Sequence, residues 1–467
     1  MTDKTTSPPP AYFLSLSLEN VRSFGEKQTI SFARPDGRPA QWTIILGDNG
    51  VGKTTVLKAL AALSPMQTPI FPKPKLTGPL EFNPPYASRF FESLRNKWDL
   101  NRNNWVPSSE DLGKGAGRIK CFYRIVNDTE GDFSLKSAPL YEYGIERNSD
   151  ITWNGHFGGG SGFGLGRVGL IPYGYGAGRS VGSSSLSETS ETDDTCLSLF
   201  DEATNLLNPE EWFLQMEYSS LKENSRAAVS LKRVRRALLK VLPDVTDIQI
   251  KTTEKHQQQL ELETPYGWVR LRDMSLGYQT LVVWLTDFAS KLFIRYPDSK
   301  NPLEEPAIVL IDEIDLHLHP NWQRKLIGFL SGIFKNTQFI ATAHSPLVVQ
   351  SAGDEGANVV LLKREGDQTK VYQGRDLPDV RHWRLEQIFS SELFDDTPPL
   401  SPQTEADLTR RNELLLKKRL TAKEKDELAR LNTSVADQPV GTTRPERRAE
   451  DLLAQLARNL GKSDLLE

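Results

Sequence analysis

The stretch that decides the fold is IILGDNGVGKTTVLKAL, residues 44–60. An apolar run leads into a glycine-rich turn, and an amphipathic helix begins directly after the turn. Residues 47–54 fit the pattern G-x-x-x-x-G-K-[ST], and a position between a strand and a helix is the context in which this pattern holds phosphate. Glycines let backbone N–H groups close around phosphate oxygens at the positive end of the helix dipole. The turn therefore predicts a nucleotide site.

The side chains of this turn have predicted tasks. Lys53 is expected to reach the β- and γ-phosphate oxygens, and the Thr54 hydroxyl is expected to ligate Mg²⁺. A nucleotide and Mg²⁺ are therefore expected here, and the family resemblance given below implies that the nucleotide is ATP. The residues predicted to bind the nucleotide here are Asn49, Gly50, Val51, Gly52, Lys53, Thr54 and Thr55.

A second motif is the strand AIVLIDE, residues 307–313, which is apolar throughout and ends in two acids. Strands of this kind belong to sheets that are covered on both faces. Asp312 is placed to hold Mg²⁺, and Glu313 is placed to polarise an attacking water as the catalytic base. Two solvated acids at a strand end would explain the pair in isolation. The phosphate turn in the same chain favours the catalytic interpretation.

Two further stretches carry candidate site residues. TQFIATAHS, residues 337–345, is another apolar strand, and His344 at its end is predicted to sense the γ-phosphate. In DMSLGYQT, residues 273–280, Ser275 could cap the following helix and Gly277 permits close backbone approach, so the helix N-terminus can receive an anion. An N-cap serine alone would explain this second stretch equally well.

The order of these motifs resembles that of ABC-type ATPase heads: phosphate turn, S-x-G-x-Q, strand ending in Asp-Glu, strand ending in His. LENVRSFG (residues 18–25) and DEIDLHLHP (residues 312–320) resemble the SMC, RecF and OLD branch. Together with YGYGAGR (residues 173–179) and QFIATAHSP (residues 338–346), they resemble the stand-alone ATPases of bacterial anti-phage islands. Septu and retron-associated PtuA subunits and the ATPase of the PARIS system are of this kind.

The resemblance implies a fold, an activity and partners. The fold class would be α/β, an ABC-type ATPase head with two lobes of mixed β-sheets flanked by helices and a helical C-terminal extension. The activity would be slow ATP hydrolysis, with ATP joining two subunits as a dimerisation switch in anti-phage defence. The partners would be further copies, in a homodimer or higher homo-oligomer, and a separate nuclease or toxin effector of HNH or TOPRIM type. The residues implied to contact the nucleotide besides the phosphate turn are Arg22, Ser275, Gly277 and Gln279.

This chain departs from the resemblance in two places. The signature, which reads Ser-Leu-Gly-Tyr-Gln at residues 275–279, lacks its usual second glycine, and no Q-loop glutamine can be placed. Residues 173–179 occupy roughly the Q-loop part of the chain, where Arg179 is either a phosphate contact or a structural arginine. No carboxylate cluster of a TOPRIM or HNH nuclease follows His344, so any cutting of nucleic acid would fall to another chain.

Other functions remain open at this point. The alternative is a RecF-like, ATP-dependent DNA clamp in repair, and DNA is therefore an open partner. LKRVRRALLK, residues 231–240, forms a basic helix face that is either solvated or a DNA contact, whereas the net charge of −4 disfavours wrapping of nucleic acid by the whole chain. Residues 164–169 match a dinucleotide fingerprint without its βαβ frame. His317 and His319 lack a third ligand for a metal, which favours a structural turn.

The chain of 467 residues is too long for one ordinary core. Because it has two distant cysteines and lacks an apolar signal segment or an 18-residue apolar window, we expect a cytoplasmic protein without membrane contact. Four segments are predicted: a disordered leader (1–12), an N-terminal ATPase lobe with a glycine- and serine-rich insertion at about 155–195 (13–265), a C-terminal ATPase lobe with signature, acidic strand and switch histidine (266–372), and a helical extension for partner binding or oligomerisation (373–467).

The end of the helical extension has the pattern of a hairpin. Leucines at 414–416 and 428–431 flank a turn at 420–423, and Thr421 with Glu424 three residues later forms a capping box. Two short helices need a surface to dock on. They would pack on their own ATPase head or dock the effector or a neighbouring ATPase dimer.

Overall fold

The computed structural model describes most of the chain from residue 11 to residue 436. The described residues are 11–62, 96–99, 104–107, 118–125, 140–147, 153–158, 172–181, 195–202, 204–221, several between 229 and 239, 245–252, 258–296, 299–417 and 420–436. The predicted leader, most of the glycine- and serine-rich insertion and the fingerprint at 164–169 lie outside these residues.

Eighteen strands lie in the described part of the chain. They are β1 (Ala11–Glu19), β2 (Gln28–Ser31), β3 (Trp42–Leu46), β4 (Asn96–Asp99), β5 (Asn104–Pro107), β6 (Arg118–Ile125), β7 (Leu140–Arg147), β8 (Trp153–Gly158), β9 (Pro172–Tyr175), β10 (Ser180–Val181), β11 (Asn205–Leu206), β12 (Asp247–Thr252), β13 (Gln258–Thr264), β14 (Gly267–Arg270), β15 (Ala307–Ile311), β16 (Thr337–Thr342), β17 (Asn358–Glu365) and β18 (Gln368–Gln373).

Nine α-helices have defined bounds in the same residues. They are α1 (Lys53–Ala62), α2 (Leu197–Phe200), α3 (Pro209–Leu221), α4 (Leu276–Arg295), α5 (Pro320–Ile333), α6 (Pro346–Asp354), α7 (Leu385–Phe389), α8 (Pro402–Leu416) and α9 (Ala422–Ala436).

The central sheet has six strands in the order β18-β17-β3-β16-β15-β9. β17, β3, β16, β15 and β9 are parallel to one another, and β18 pairs antiparallel with β17. Every residue of β3, β15 and β16 is buried, as expected for parallel strands that are covered on both faces. The five parallel strands end at one edge of the sheet, so the segments that follow them meet there.

Large side chains fix the register of the central strands. Trp42 of β3 stacks on Phe339 of β16 with ring centroids 4.2 Å apart, and its indole Nε1–H donates to the Ser331 hydroxyl at 2.9 Å. The buried face of α1 joins the same core through Val56, Leu57 and Leu60. Because α1 is anchored by three apolar side chains, the phosphate turn at its start has a rigid base.

A second sheet is antiparallel, with the strand order β2-β1-β6-β7-β8. β1 and β2 pair antiparallel in this sheet, while β3 lies in the central sheet. A third, three-stranded antiparallel sheet, β12-β13-β14, precedes α4 in the chain. The remaining two sheets have two strands each, β10-β11 and β4-β5. The predicted α/β class, with mixed sheets flanked by helices, is confirmed.

The chain divides into two compact units, residues 1–388 and 389–467. All the sheets belong to the first unit. In the second unit, α8 and α9 form the predicted hairpin, in which Arg410 pairs with Glu427 at 2.9 Å. The capping box is also present, because Thr421 N donates to Glu424 Oε2 at 2.8 Å and Glu424 N donates to Thr421 Oγ1 at 3.4 Å. The four predicted segment boundaries stay a prediction.

A helix that crosses a bilayer needs about 20 consecutive, predominantly apolar residues. None of the helices in the described residues is both long enough and apolar enough to cross a membrane.

Candidate nucleotide-binding site

The candidate site lies at the edge where the parallel strands end. The phosphate turn follows β3, the acidic pair follows β15, His344 follows β16 by two residues, and Arg179 follows β9 by four. In open α/β sheets, ligands bind in the crevice outside the carboxyl ends of the strands. The strand order therefore brings to one edge motifs that lie up to 297 positions apart in the chain, from Gly47 to His344.

Glycine is required at position 52 of the turn. Its φ is +102°, and a Cβ there would lie 2.7 Å from the ring of Phe24. α1 begins at the next residue, and the first N–H groups of a helix have no intrahelical acceptor. These N–H groups point into the turn at the positive end of the helix dipole, which is a suitable environment for phosphate.

Lys53 is a buried cation whose position in the turn is fixed. Its Nζ donates to the carbonyl of Gly47 at 2.7 Å and to the carbonyl of Asp48 at 2.9 Å. Burial lowers the pKa of the Lys53 ammonium, and the negative charges of Asp312 and Glu313 act in the opposite direction. The amine is thus directed toward the inside of the turn and lies near two carboxylates.

Thr54 and Asp312 supply the oxygen atoms that a magnesium ion would need. The Thr54 hydroxyl donates to Asp312 Oδ2 at 2.7 Å, and Thr342 Oγ1 donates to the other oxygen, Oδ1, at 2.6 Å. Mg²⁺ typically takes one or two protein oxygens and fills its octahedron with phosphate and water. Within the described ranges, no group of three His, Cys, Asp or Glu side chains could hold a metal. This donor set fits a magnesium ion that arrives with a nucleotide.

Glu313 has an unusual backbone conformation. Its φ is +49°, in the left-handed region, which costs a non-glycine residue about 1–3 kcal/mol. Its N–H donates to Thr342 Oγ1 at 2.7 Å, and its carbonyl accepts a bond from Arg179 Nη2, also at 2.7 Å. Hydrogen bonds on both sides of the residue therefore hold the strained conformation in place.

One cleft of about 250 Å³ collects most of the predicted residues. Arg22 closes one side, where its Nη1 donates a long bond of 3.4 Å to Thr55 Oγ1. The side chains and backbone around the cleft thus combine cations, N–H donors and two acids. Its lining residues are Arg22, Ser23, Asn49, Gly50, Gly52, Lys53, Thr54, Thr55, Asp312 and Glu313.

Two predicted residues near the cleft do not line it. Val51 is buried in the core, and its carbonyl accepts bonds from the hydroxyls of Ser23 and Thr369. His344 is exposed, and its backbone N–H donates to Asp315 Oδ2 at 2.9 Å. The sensor role of His344 stays a prediction.

The signature motif lies outside the cleft of its own chain. Ser275 is exposed at the N-cap of α4, and its hydroxyl makes no capping bond within the described residues. Gly277 is buried against the carbonyl of His317, and Gln279 Nε2 donates to the carbonyls of Arg272 and Met274. Ser275, Gly277 and Gln279 are not among the residues that line the cleft, and their predicted contact with the nucleotide stays a prediction.

The sequence analysis did not predict four contacts of the site. They are made by Ser23, by Thr342, by Asp315, and by Arg179 with the carbonyl of Glu313. Ser23 follows Arg22 directly, and Thr342 is two residues before His344, so proximity to a motif was a usable signal for both. Asp315 is part of DEIDLHLHP, three residues after Asp312. The contact of Arg179 with Glu313 had no such signal because 134 residues separate the two in the chain.

Two other residues from the candidate motifs, His319 and Arg235, make contacts within the protein. His319 Nδ1 accepts a hydrogen bond from Asn321 N and thereby caps α5. In the basic stretch at 231–240, Lys232 and Arg236 are exposed, and Arg235 forms an ion pair with Asp247. The DNA-contact interpretation of this stretch stays open.

Two family models match the chain. One, described as "AAA domain", matches residues 15–149, which include the phosphate turn. The other, described as "AAA domain, putative AbiEii toxin, Type IV TA system", matches residues 178–350, which include the signature, the acidic strand and His344. The predicted motifs therefore lie in two regions that match AAA-domain models.

Curated relatives match the chain over different lengths. "Retron Ec83 probable ATPase" of Escherichia coli is 43% identical over 116 residues, 25% of this chain and 21% of the relative. "Septu protein PtuA" of Bacillus mycoides (strain KBAB4) is 26% identical over 387 residues, 82% of this chain and 45% of the relative. The chain spans less than half the length of each relative. The predicted resemblance to Septu and retron ATPases is confirmed.

Solved structures of SMC heads are also similar. "Crystal structure of the SmcHead bound to the C-winged helix domain of ScpA" has a TM-score of 0.41 and 16% identity, and the match covers 78% of this chain and 97% of that chain. "SMC head domain from Thermotoga maritima" has a TM-score of 0.39 and 14% identity, with 78% and 99% covered.

Proposed function

We propose that this protein binds ATP with Mg²⁺, hydrolyses it slowly to ADP and phosphate, and uses the nucleotide as a dimerisation switch that controls a separate effector in anti-phage defence. The observation that supports the ATPase chemistry best is one cleft that contains Lys53, Thr54, Asp312 and Glu313. Lys53 and Thr54 begin the helix after β3, Asp312 and Glu313 directly follow β15, and β16 lies between these two strands in the sheet. Their convergence is the arrangement that phosphoryl transfer to water requires.

Each residue of the cleft has a task in this proposal. Lys53 and the N–H groups at the start of α1 bind the phosphate oxygens, while Thr54 and Asp312 hold Mg²⁺, which neutralises phosphate charge when it is bound. Thr342 orients Asp312 through the 2.6 Å bond to Oδ1. Glu313 lines the cleft and accepts the proton of the attacking water.

The position of the signature supports the dimerisation part of the proposal. α4 is 20 residues long, and its N-terminus carries an exposed Ser275 and a Leu276 side chain that is 56% exposed. A helix N-terminus attracts anions, and this one lies outside the nucleotide cleft of its own subunit. A second copy, turned about a twofold axis, would place this N-terminus over its partner's phosphate turn, and the reciprocal contact would form at the same time.

Replacement of Ser275 tests the dimer. Ser275→Arg is expected to leave ATP binding by a single subunit intact, because Ser275 does not line the cleft. ATP-dependent dimers and hydrolysis should both fall by about tenfold, because an arginine side chain overfills a close contact built around a serine, at a cost of about 1–3 kcal/mol. Sedimentation velocity with and without ATP measures the dimers. The matched control is Ser401→Arg, at the exposed N-cap of α8. Undiminished ATP-dependent dimers of Ser275→Arg would contradict the signature's role.

The defence part of the proposal rests on similarity and on the C-terminal unit. The relatives are named for Septu and retron systems, and the proposed partner is a separate nuclease or toxin of HNH or TOPRIM type. Within the C-terminal unit, Leu415 and Leu416 of α8 are 53% and 86% exposed. Two adjacent exposed leucines at a helix end are suited to contact an apolar patch of a partner.

Deletion of residues 401–467 should therefore spare ATP binding and abolish co-purification with the effector. Leu416→Asp is the smaller change, and we expect it to reduce recovery of the partner at least about tenfold, since a buried unpaired carboxylate at an interface is strongly unfavourable. Leu400→Asp is the matched control, because Leu400 is also an exposed leucine of this unit. Pull-down from cells that express both genes measures the yield. Full recovery of the partner by the truncated protein would show that the hairpin is merely structural.

A further inference from the structure

Arg179 is a buried arginine whose guanidinium is only partly hydrogen-bonded among the described residues. The side chain is 6% exposed and lies after β9, next to the acidic strand β15. Its Nη2 donates to the carbonyl of Glu313 at 2.7 Å. Its Nε and Nη1 have no hydrogen-bond partner among the protein atoms of the described residues. The guanidinium therefore makes a specific contact and leaves two buried donors unsatisfied.

An arginine in this situation is a poor stabiliser of a fold. Leaving a buried donor unsatisfied costs about 1–3 kcal/mol, and the cost is higher for a charged group. Well-packed apolar side chains in the place of buried ions are often neutral or stabilising. A purely structural explanation of Arg179 thus has little physical support, and its contact with Glu313 suggests a role in the chemistry of the cleft.

The charge of Arg179 is retained despite burial. Burial lowers the pKa of the guanidinium to about 10, and the carboxylates of Asp312, Glu313 and Asp315 oppose that shift. Because this pKa lies well above 7, the group is a cation at neutral pH. Arg179 is not among the residues that line the cleft, and its contact there is with the backbone of Glu313.

Arg179 helps to hold the backbone of Glu313 in its left-handed conformation. Thr342 holds the N–H of Glu313 from one side, and Arg179 holds its carbonyl from the other, so the left-handed conformation is fixed at both peptide groups. This conformation determines where the Glu313 side chain enters the cleft. A general base must lie within hydrogen-bond reach of the water that it activates, and a displacement of 1 Å can cost about 100-fold in rate.

The segment that carries Arg179 is itself tightly held. The Tyr175 hydroxyl donates to the buried Asp287 of α4 at 2.8 Å, and Ser198 Oγ donates to the carbonyl of Gly174 at 2.9 Å. The carbonyl of Tyr175 accepts the N–H of Asp312 at 2.8 Å, which ties β9 directly to the acidic strand end. Arg179 therefore follows, by four residues, a strand that these hydrogen bonds hold in place.

We propose that Arg179 is a positioning residue for ATP hydrolysis, which holds Glu313 in the left-handed conformation that aims its carboxylate into the cleft. This inference rests on the proposed ATPase function. Arg179 ends the stretch YGYGAGR, residues 173–179, in which no Q-loop glutamine could be placed, and the proposal gives this stretch a role in hydrolysis. Arg179 acts through Glu313 in this account and does not touch the nucleotide.

The first test separates positioning from folding. Arg179→Met should lower kcat for ATP at least about tenfold while KM stays within about twofold, because only the rate step depends on the base. Its melting temperature should be equal to or above that of the wild type, since the buried unsatisfied cation is removed. Arg179→Lys should also lower kcat, because an ammonium cannot reproduce the fixed geometry of a guanidinium. The control is Arg235→Met. Arg235 is partly exposed and does not line the cleft, so this variant should keep the wild-type kcat.

The second test asks whether Arg179 acts through Glu313. When Glu313→Gln has already removed the base, adding Arg179→Met should change the residual rate by less than about twofold, because the two residues act as one unit. Full additivity of the two losses would overturn the proposal. A wild-type kcat per folded molecule in Arg179→Met, together with a lowered melting temperature, would also overturn it and would leave the ATPase function intact. Absence of hydrolysis by the wild type itself would overturn both proposals.

Discussion

Lys53→Ala is expected to abolish nucleotide binding. The substitution removes the buried ammonium that lies in the phosphate turn, together with its bonds to the carbonyls of Gly47 and Asp48. Hydrogen bonds to charged groups contribute about 1.5–3 kcal/mol each, so losing two such contacts to phosphate oxygens weakens binding by a factor of at least about 100. Isothermal titration calorimetry with ATP and Mg²⁺ measures the affinity.

The same helix offers a matched control for this substitution. Lys58 lies on α1, its Nζ is 5.8 Å from the centroid of the Phe200 ring, and it does not line the cleft. Lys58→Ala removes a lysine from the same helix, so any general effect of that loss on α1 would appear there too. ATP affinity in Lys53→Ala equal to that of the wild type would refute the assignment of the turn as the nucleotide site.

Glu313→Gln should leave ATP binding intact and slow hydrolysis by a factor of about 100 or more, the range expected on losing a general base. Glutamine preserves the volume of the side chain and the backbone bonds to Thr342 and Arg179. The loss would therefore concern the proton acceptor alone. Because hydrolysis is the step that releases the two subunits in the proposed switch, this variant should also accumulate the ATP-joined assembly.

Two measurements check the expectation for Glu313. Release of phosphate at steady state gives the rate, and light scattering with ATP gives the mass of the assembly. Glu355→Gln makes the same chemical change at an exposed position and should behave as the wild type. If Glu313→Gln hydrolyses ATP at the wild-type rate, the catalytic base lies elsewhere.

The parts of the site that the sequence predicted are those encoded locally. The phosphate turn is one continuous run in which the glycines, Lys53 and Thr54 stand at fixed offsets, so the pattern identifies them without knowledge of the fold. The acidic strand was recognisable for a similar reason, because a uniformly apolar run ends in two acids. The structure places the Thr54 hydroxyl 2.7 Å from Asp312 Oδ2, although the two residues are 258 positions apart.

The remaining contacts depend on strand order, which no local pattern contains. Arg179 meets Glu313 because β9 pairs with β15 at the edge of the central sheet. Thr342 meets Asp312 because β16 lies on the other side of β15. His344 and Ser275 were identified as motif residues, yet their positions relative to the cleft depend on the path of the chain after β16 and on the packing of α4. Spacing along the sequence carries no information about either.

The glycine at position 277 of the signature is required by packing within its own subunit. A Cβ at this position would lie 2.2 Å from the carbonyl oxygen of His317, so α4 can approach the turn after the acidic strand only without a side chain there. Its neighbour Tyr278 has room and packs edge-on against Trp322, with ring centroids 5.5 Å apart. A sequence search that requires two glycines in the signature would therefore score this chain too low, since the packing of α4 demands a glycine at position 277 and accommodates a tyrosine at position 278.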